Sequence, residues 1–440
     1  MAIIPEMRLN SKSKTKLNFD GGDLTSDSGM LLYKEFDEKI AFSQEIKNAL
    51  DIDDDVDHRL HDNVDVILQK IYQNAAGYHA DADADHLRHD LVFQHILDKD
   101  ILASQPTISR LNNKINIETM QQLQTGNFNL LDKIHDHKPP KEIIFDLDST
   151  NCATYGDQKG SSYNSHYGAD GYHPLLMFDG VTGDAIKAEL RSGNVYTSRQ
   201  AVRFVGPVFK KYSKKFKDIP LHLRADSGFA SPGIYEISEE HGISYVIRLK
   251  ANSRLYKLAE PLTEKMAQQT KNNLYSERVI YGEFEYKAGS WNKSRRVIVK
   301  IKKPAGQLGY NYTFIVTSIK DRTPKEIVKF YCQRGTMENF IKEAKNGFAL
   351  DKMSYTEYWA NANKLQQMLL AYNLNNWLRR LCFPENNRSD RIGTVRTKLV
   401  KIAARIVKSG RYIYYKLASS CPGKELFYRI FKNIQSMEFA

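Results

Sequence analysis

Long apolar runs are missing from this chain of 440 residues. Nothing approaches the ~18 consecutive apolar residues that read as a membrane span, so no transmembrane helix is expected. The start, Met1-Ala2-Ile3-Ile4-Pro5-Glu6, lacks a charged segment followed by a long apolar one, so no signal peptide is expected. Cysteine is scarce: Cys152, Cys332, Cys382 and Cys421 stand far apart with no CxxC pair. That scatter disfavours both a zinc site and a disulfide framework, and it suits a reducing cytoplasm. Internal repeats and low-complexity stretches are missing too, which removes solenoid and fibrous classes. A chain of this length is expected to hold two or three domains, with ample length for a large core.

Positive charge is abundant but unevenly placed. The whole chain is +12, yet residues 1–150 carry 16 Lys/Arg against 27 Asp/Glu, a net of −11, which leaves +23 for the rest. Residues 377–440 alone carry 14 basic and 4 acidic side chains. A polyanionic partner suits the basic two-thirds, because neutralising phosphates releases counterions. An ordinary solvated basic surface is the other reading of charge taken alone.

Three distant acids give the charge a chemistry: Asp148, Asp226 and Glu338. Glu338 belongs to the pattern Tyr331-x2-Arg334-x3-Glu338-x6-Lys345. On a helix these offsets fall at about 0°, −60°, −20° and −40°, one narrow face. A carboxylate flanked by an aromatic and two cations makes a poor core stripe and a good surface for holding a metal ion against a phosphate. Thr323-Pro324-Lys325-Glu326 reads as the start of that helix, with Thr323 and Glu326 forming a capping box. Gly347 suits its C-terminal cap, and Gly335 and Thr336 weaken its middle. The rival carboxylate, Glu343, lies about 120° off the shared face.

The acids also sit where the element order places them. Ile143–Asp148 reads as a buried strand ending in carboxylates. Pro174–Phe178 and Ala185–Arg191 read as strands, Ser198–Tyr212 as a helix, and Leu221–Asp226 as a strand. Ser231–His241 then reads as a helix and Ser244–Lys250 as a strand. The order β-β-β-α-β-α-β, closed by the helix from Pro324, is the ribonuclease H-like arrangement. Alternating runs at Ser276–Tyr286, Ser294–Lys302 and Tyr310–Ile319 interrupt it. The expected class is therefore α/β: a ribonuclease H-like catalytic core at 141–250 and 321–350, interrupted by a β-rich insertion at 251–320. A helical N-terminal region at 1–140 and a basic helical C-terminal region at 351–440 flank it. Asp146 is the alternative first acid, on the same strand face as Asp148.

Ser104-Gln105-Pro106-Thr107 follows a helical run at Asp90–Leu102 and reads as another helix start. Two readings stand. One is a helix-turn-helix near 90–115 with Gln105, Thr107, Ser109 and Arg110 facing DNA; the other is a plain bundle helix. His58/His61 and His86/His89 are three apart among aspartates, but no closed metal-ligand set follows.

The chain resembles bacterial insertion-sequence transposases of the DDE class. Tyr331, Arg334, Glu338 and Lys345 match the YREK signature of a large group of them. More narrowly it resembles the insertion-sequence family numbered thirteen-eighty, in stretches such as Ser26-Asp27-Ser28-Gly29, Leu102–Thr107, Asp146–Thr150, Tyr163–Tyr167, Leu190–Asn194 and Arg224–Phe229. The likeness implies a bacterial, cytoplasmic, nucleoid-associated enzyme that binds terminal inverted repeats, cuts, and joins the freed end to target DNA. It implies two Mg²⁺ ions, with Mn²⁺ as substitute, held by Asp148, Asp226 and Glu338, and a homodimer on double-stranded DNA. Tyr331, Arg334 and Lys345 inherit the role of holding DNA near the cut. In some relatives an insertion-domain Trp stacks on a flipped base, and Trp291 is the only Trp in this insertion; a hairpin-tip or core aromatic is the other reading. Two further functions share the fold: a regulator that binds DNA without catalysis, and a structure-specific nuclease.

Overall fold

The computed structural model describes residues 7–12, 14–52, 59–271 and 275–439. The start of the chain and His58 of the His58/His61 pair lie outside the described residues. The chain forms two compact units: Lys138–Asn346 with Leu350–Leu369, and Met1–His137 with Gly347–Ala349 and Leu370–Ala440.

The unit that begins at Lys138 is organised around one strand, β1 (Ile143–Ser149). Ile143, Phe145 and Leu147 alternate with Ile144 and Asp146, and all five are buried, so both faces of the strand are covered. On one side β2 (Leu175–Asp179) and β3 (Ala185–Glu189) continue antiparallel. After α1 (Ala201–Lys215) the chain returns on the other side as β4 (Leu221–Ala225), parallel to β1. The helix α2 (Pro232–Glu240) then carries it to β5 (Ser244–Leu249), parallel to β4. The strands and helices read from the sequence are thus present within a few residues, in the same order.

The stretch read as a β-rich insertion opens instead with a helix, α3 (Ser253–Thr270). Three strands follow: β6 (Arg278–Tyr286), β7 (Arg295–Lys303) and β8 (Asn311–Thr317). They extend the same sheet, whose spatial order is β6-β7-β8-β5-β4-β1-β2-β3. Then come α4 (Pro324–Cys332) and α5 (Gly335–Phe348). Alternate residues of β1 meet different layers. Phe145 packs on Phe209 and Tyr212 of α1. Ile144 joins Val246, Ile298 and Ile315 in a cluster with Ile327, Val328 and Phe330 of α4. The capping box at Thr323 and Glu326 fixes the start of α4.

Asp146 is fully buried, and its carboxylate takes two hydrogen bonds from Arg224 of β4, at 2.7 and 2.6 Å. The same guanidinium donates to the carbonyl of Phe330 at 3.0 Å, which ties α4 to the sheet. Gly180, just after β2, lies against this pair; a Cβ there would sit 2.5 Å from both Arg224 Nη2 and Asp146 Oδ2.

The other unit is mostly helical, with helices Met30–Ile40, Phe42–Ala49, Asn63–Ala76 and the long Ile117–His137. The helical run expected at Asp90–Leu102 ends at Ile96, and the next helix starts at Gln105. The region after 351, expected to be helical, also holds a β-hairpin, Ala404–Ser409 with Tyr412–Leu417, paired to Leu24–Thr25. Gly347 is not the cap of α5. The helix runs through it to Phe348, and Ala349 takes the left-handed conformation at φ 53°. Gly347 answers a packing need, since a Cβ would meet Ile392 Cγ2 at 2.2 Å. Among the described residues no helix is long and apolar enough to cross a membrane.

Replacing Arg224 by Met keeps its length but strands Asp146 without its cation. Removing one partner of a buried pair costs about 3–5 kcal/mol, so urea unfolding of Arg224→Met is expected to show a loss of that size. A second expectation concerns His222, buried edge-on against Phe330 with both ring nitrogens lacking a hydrogen-bond partner. Burial, helped by Arg322 and Arg224, pushes its pKa down to about 4. Between about 4 and the ordinary ~6.5 the unfolded chain takes up a proton that the folded chain refuses. The contribution of His222 is therefore intact above about 6.5 and lost as pH falls towards 4. Asp179, pushed up to about 6 by burial, slopes the opposite way. The difference in Tm between His222→Phe and the unaltered chain isolates the histidine. It is expected to move in favour of the variant as pH falls through this window; a pH-independent difference would show a solvated ring.

Candidate active site

The register of the central strands places the first two acids side by side. Arg224 pairs with Asp146, and Ala225 with Leu147. One residue further on in each strand stand Asp148, still in β1, and Asp226, just past β4. Parallel neighbours lie about 4.8 Å apart, so both carboxylates issue from the same edge of the sheet. Asp226 is held by its turn: its Oδ1 accepts the N–H of Gly228 at 2.9 Å, capping the short Ser227–Phe229 helix.

Asp148 is mostly buried, and burial pushes its pKa up to about 6. Arg334 opposes that shift, while the negative charges of Asp226 and Glu338 add to it. Glu338, whose charge weighs on Asp148, lies exposed in the first turn of α5.

The four signature residues do not ride one continuous helix. The chain breaks between Cys332 and Gly335, so Tyr331 ends α4, Arg334 sits at the break, and Glu338 and Lys345 belong to α5. The break lets Arg334 turn towards the sheet, where its Nη2 lies 2.7 Å from Asp148 Oδ2. This is a charge contact rather than an aligned hydrogen bond, and Arg334 Nε has no partner. Lys345 donates to the carbonyl of Asn151 at 2.8 Å, just beyond the end of β1. Tyr331 is half-buried against the apolar cluster under α4, and its hydroxyl feels both Arg334 and Asp226.

Asp146, weighed as a metal ligand, faces inward with both oxygens on Arg224, so Asp148 is the acid of this strand that remains open. Trp291 is buried. It packs edge-on against Tyr235 and Tyr286, with the Arg295 guanidinium over its ring. An indole so enclosed is a core aromatic and presents no face to a base. Tyr167 is a neighbour that sequence reasoning left without a role: its pKa is raised by burial and by Asp148 and Asp226. The stretch Tyr163–Tyr167 had stood out, but no spacing rule links it to the acids.

Asp148, Asp226 and Glu338 suit a hard divalent cation, which takes carboxylate oxygens. Burial first, and then the charges of Asp226 and Glu338, raise the pKa of Asp148, and a bound cation would offset both. Among the described residues, however, no group of three or more acids, histidines or cysteines is close enough to hold a metal ion. His61, His86 and His89 likewise form no such group. The carboxylates meet the need in kind, and Arg334 stands where the positive charge is wanted.

In the helical unit, Thr107 and Arg110 belong to the helix Gln105–Asn112, and the Arg110 guanidinium donates to Thr107 Oγ1 at 3.2 Å. Gln105 and Ser109 are half-exposed on the same helix. A helix-turn-helix needs a turn of about three or four residues; here residues 97–104 intervene. The expected motif is therefore not formed in that way.

No curated protein matches the sequence. Among solved structures, a cryo-EM structure of the piggyBac transposase synaptic complex with hairpin DNA is similar at a TM-score of 0.40 and 16% identity, covering 94% of this chain and 80% of that one. That likeness is too loose to carry an argument. The family described as transposase DDE domain group 1 matches residues 7–439, essentially the whole length, and the chain belongs to that family.

Proposed function

We propose that this chain is a cut-and-paste transposase whose ribonuclease H-like core cleaves DNA phosphodiesters with Asp148, Asp226 and Glu338. One observation carries the reading. Two acids leave the same edge of adjacent parallel strands, and a third, on a helix, acts on the first through its charge. Such a set would hold two Mg²⁺ ions, with Mn²⁺ as a substitute, which activate an attacking oxygen and stabilise a leaving oxygen in an in-line displacement.

The chain's own residues would do the rest. Arg334 neutralises Asp148 before DNA arrives. Released, its fork of donors suits a phosphate better than a single lysine would. Lys345 is held only by a backbone carbonyl, a neutral partner that a phosphate readily displaces. Tyr331 ends α4 three residues before Arg334, and its hydroxyl feels the charges of Arg334 and Asp226. With Glu338 they would make up the YREK signature of a large group of DDE transposases, in a chain that resembles the insertion-sequence family numbered thirteen-eighty, and they would grip the DNA next to the cut. The substrates would be the terminal inverted repeats of the element and its target DNA. Two protomers would pair the ends, in the bacterial cytoplasm at the nucleoid.

Two measurements follow. Asp148→Asn, Asp226→Asn and Glu338→Gln are each expected to slow Mg²⁺-dependent nicking of an end-repeat duplex by at least ~10²-fold, beyond the usual cost of disturbing a metal's outer shell. Duplex binding by gel shift should persist, and Glu343→Gln should cut normally. If the unaltered chain binds the repeat but never nicks it, the DNA-binding regulator replaces this reading. Arg334→Ala separates two roles. A partly buried pair worth ~1 kcal/mol competes with the metal. Its loss is therefore expected to tighten Mn²⁺ binding to the DNA-free protein roughly five-fold by calorimetry while slowing cleavage. Unchanged Mn²⁺ affinity would mean that Arg334 and the metal do not compete.

A further inference from the structure

Residues 391–424, a run of 34, hold nine Lys/Arg and no Asp/Glu. In the middle of this run stands the hairpin of Ala404–Ser409 and Tyr412–Leu417, joined by the two-residue turn Gly410-Arg411. Gly410 is at φ 59°, the left-handed conformation that the first position of such a turn requires. The root of the hairpin is fastened. Ala404 and Arg405 pair with Thr25 and Leu24, and Ile406 donates its N–H to the carbonyl of Asp23. The Tyr415 hydroxyl lies 2.7 Å from His95 Nδ1.

Directly opposite residues of an antiparallel pair share a face. Ala404, Ile406, Tyr415 and Leu417 make one face, which is buried or half-buried. The outer face sets Arg405 opposite Lys416, Val407 opposite Tyr414, and Ser409 opposite Tyr412. Tyr412 and Tyr414 are 70% and 47% exposed, with ring centroids 6.2 Å apart. Lys408 and Ile413, the inner-face residues nearest the turn, are exposed as well. The last two rungs therefore stand out from the sheet with both faces open.

The rung of Arg405 and Lys416 does not hold the strands together, since like charges directly opposite are destabilising. Tyr412 is mostly in water and gains little from packing. The shape and the chemistry suit a different partner. A projecting two-stranded ribbon fits the major groove of DNA, which is about 12 Å wide. Cations on both strands suit the phosphates on either side, and tyrosine rings and hydroxyls suit base edges and thymine methyls.

We propose that this hairpin enters the major groove of duplex DNA, with Tyr412 and Tyr414 against the bases and Arg405, Lys408, Arg411 and Lys416 along the phosphates. The assignment rests on the reading of the chain as a DNA transposase and adds a contact surface and the groove it occupies.

The test uses the full chain and a fluorescein-labelled duplex carrying the element's terminal repeat, with the corresponding single strand beside it. Affinity is read by anisotropy between about 50 and 200 mM salt. The variants are Arg405→Gln/Lys416→Gln, Tyr412→Ser/Tyr414→Ser, and the single changes Arg411→Gln and Tyr412→Ser. Thermal melts confirm folding, and the two single changes, at or beside the exposed turn, carry the test where a double variant melts early. Loss of Arg405 and Lys416 is expected to flatten the slope of log K against log salt by about two, and loss of Arg411 by about one. Both tyrosine variants are expected to weaken duplex binding, the double one about ten-fold, with the slope unchanged because no ionic contact is lost.

Unchanged duplex affinity in every folded variant overturns the groove contact. A tyrosine effect confined to the single strand overturns it in favour of stacking on unpaired bases. Unchanged DNA affinity with altered sedimentation of the tyrosine variants assigns the hairpin to a contact between copies of this chain and overturns the DNA contact. Nicking by the unaltered chain is scored in parallel, so failure of the hairpin contact leaves the transposase reading standing. Absence of nicking instead removes that reading.

Discussion

The buried pairing of Asp146 with Arg224 is the constraint on which the unit that begins at Lys138 turns. It crosses from the central strand to its parallel neighbour at one rung of the ladder, and the same guanidinium reaches the last turn of α4. Two buried charges are tolerable only because each fills the other's hydrogen-bonding needs. Gly180 leaves the space that the pair needs. Three elements are thereby fixed in register: the two strands that carry Asp148 and Asp226, and the helix that leads to Arg334 and Glu338. One rung further on, the chemistry inverts. An acid stands opposite an acid, and the compensating cation comes from a break between helices rather than from the sheet. The same geometry that makes a permanent ion pair at 146 and 224 makes an unsatisfied acidic edge at 148 and 226.

That difference explains why Arg334 matters more for its position than for its charge. A guanidinium on a continuous helix would be carried along the helix axis. At the end of α4, with α5 starting afresh at Gly335, it is free to turn onto Asp148. The pair is partly buried, enough to hold an arrangement of acids that would otherwise repel, and not so enclosed as Asp146 with Arg224. A contact of intermediate strength suits a group that must let go. The chain thus holds Asp148 beside a cation that comes from a helix end rather than from the sheet.

How far the sequence discloses this depends on the range of each interaction. The start of α4 was legible because the capping box is settled within four residues. The strand order was legible because each buried run is bounded by its own turns. The break at 333–334 was half legible: Gly335 and Thr336 weaken a helix, but that the break falls beside Asp148, 186 positions away in sequence, was not. The partner of Asp146 was not legible, because Arg224 is known to face it only once the register of β1 and β4 is known. The same limit hid the enclosure of Trp291 by Tyr235 and Tyr286. The helix Ser253–Thr270 escaped notice because Pro261 sits inside it and its apolar positions are sparse.

Net charge misleads in a similar way. The acidic total of the first 150 residues leaves only a local face of them suited to a polyanion. The acids of this unit are largely engaged in salt bridges and caps: Asp65 with Lys47 and Lys99, Asp81 with Lys70, Glu45 with Lys133, and Asp62 and Asp90 at helix starts. Charges so paired largely cancel at a distance, and salt screens what remains within about 10 Å. A polyanion approaching this unit would meet local potentials rather than the sum. The edge at Asp148 and Asp226 shows the same contrast with the signs exchanged: acids crowd a small space inside a strongly basic remainder. Local placement, set by strand register and helix ends, decides which ion each surface can receive.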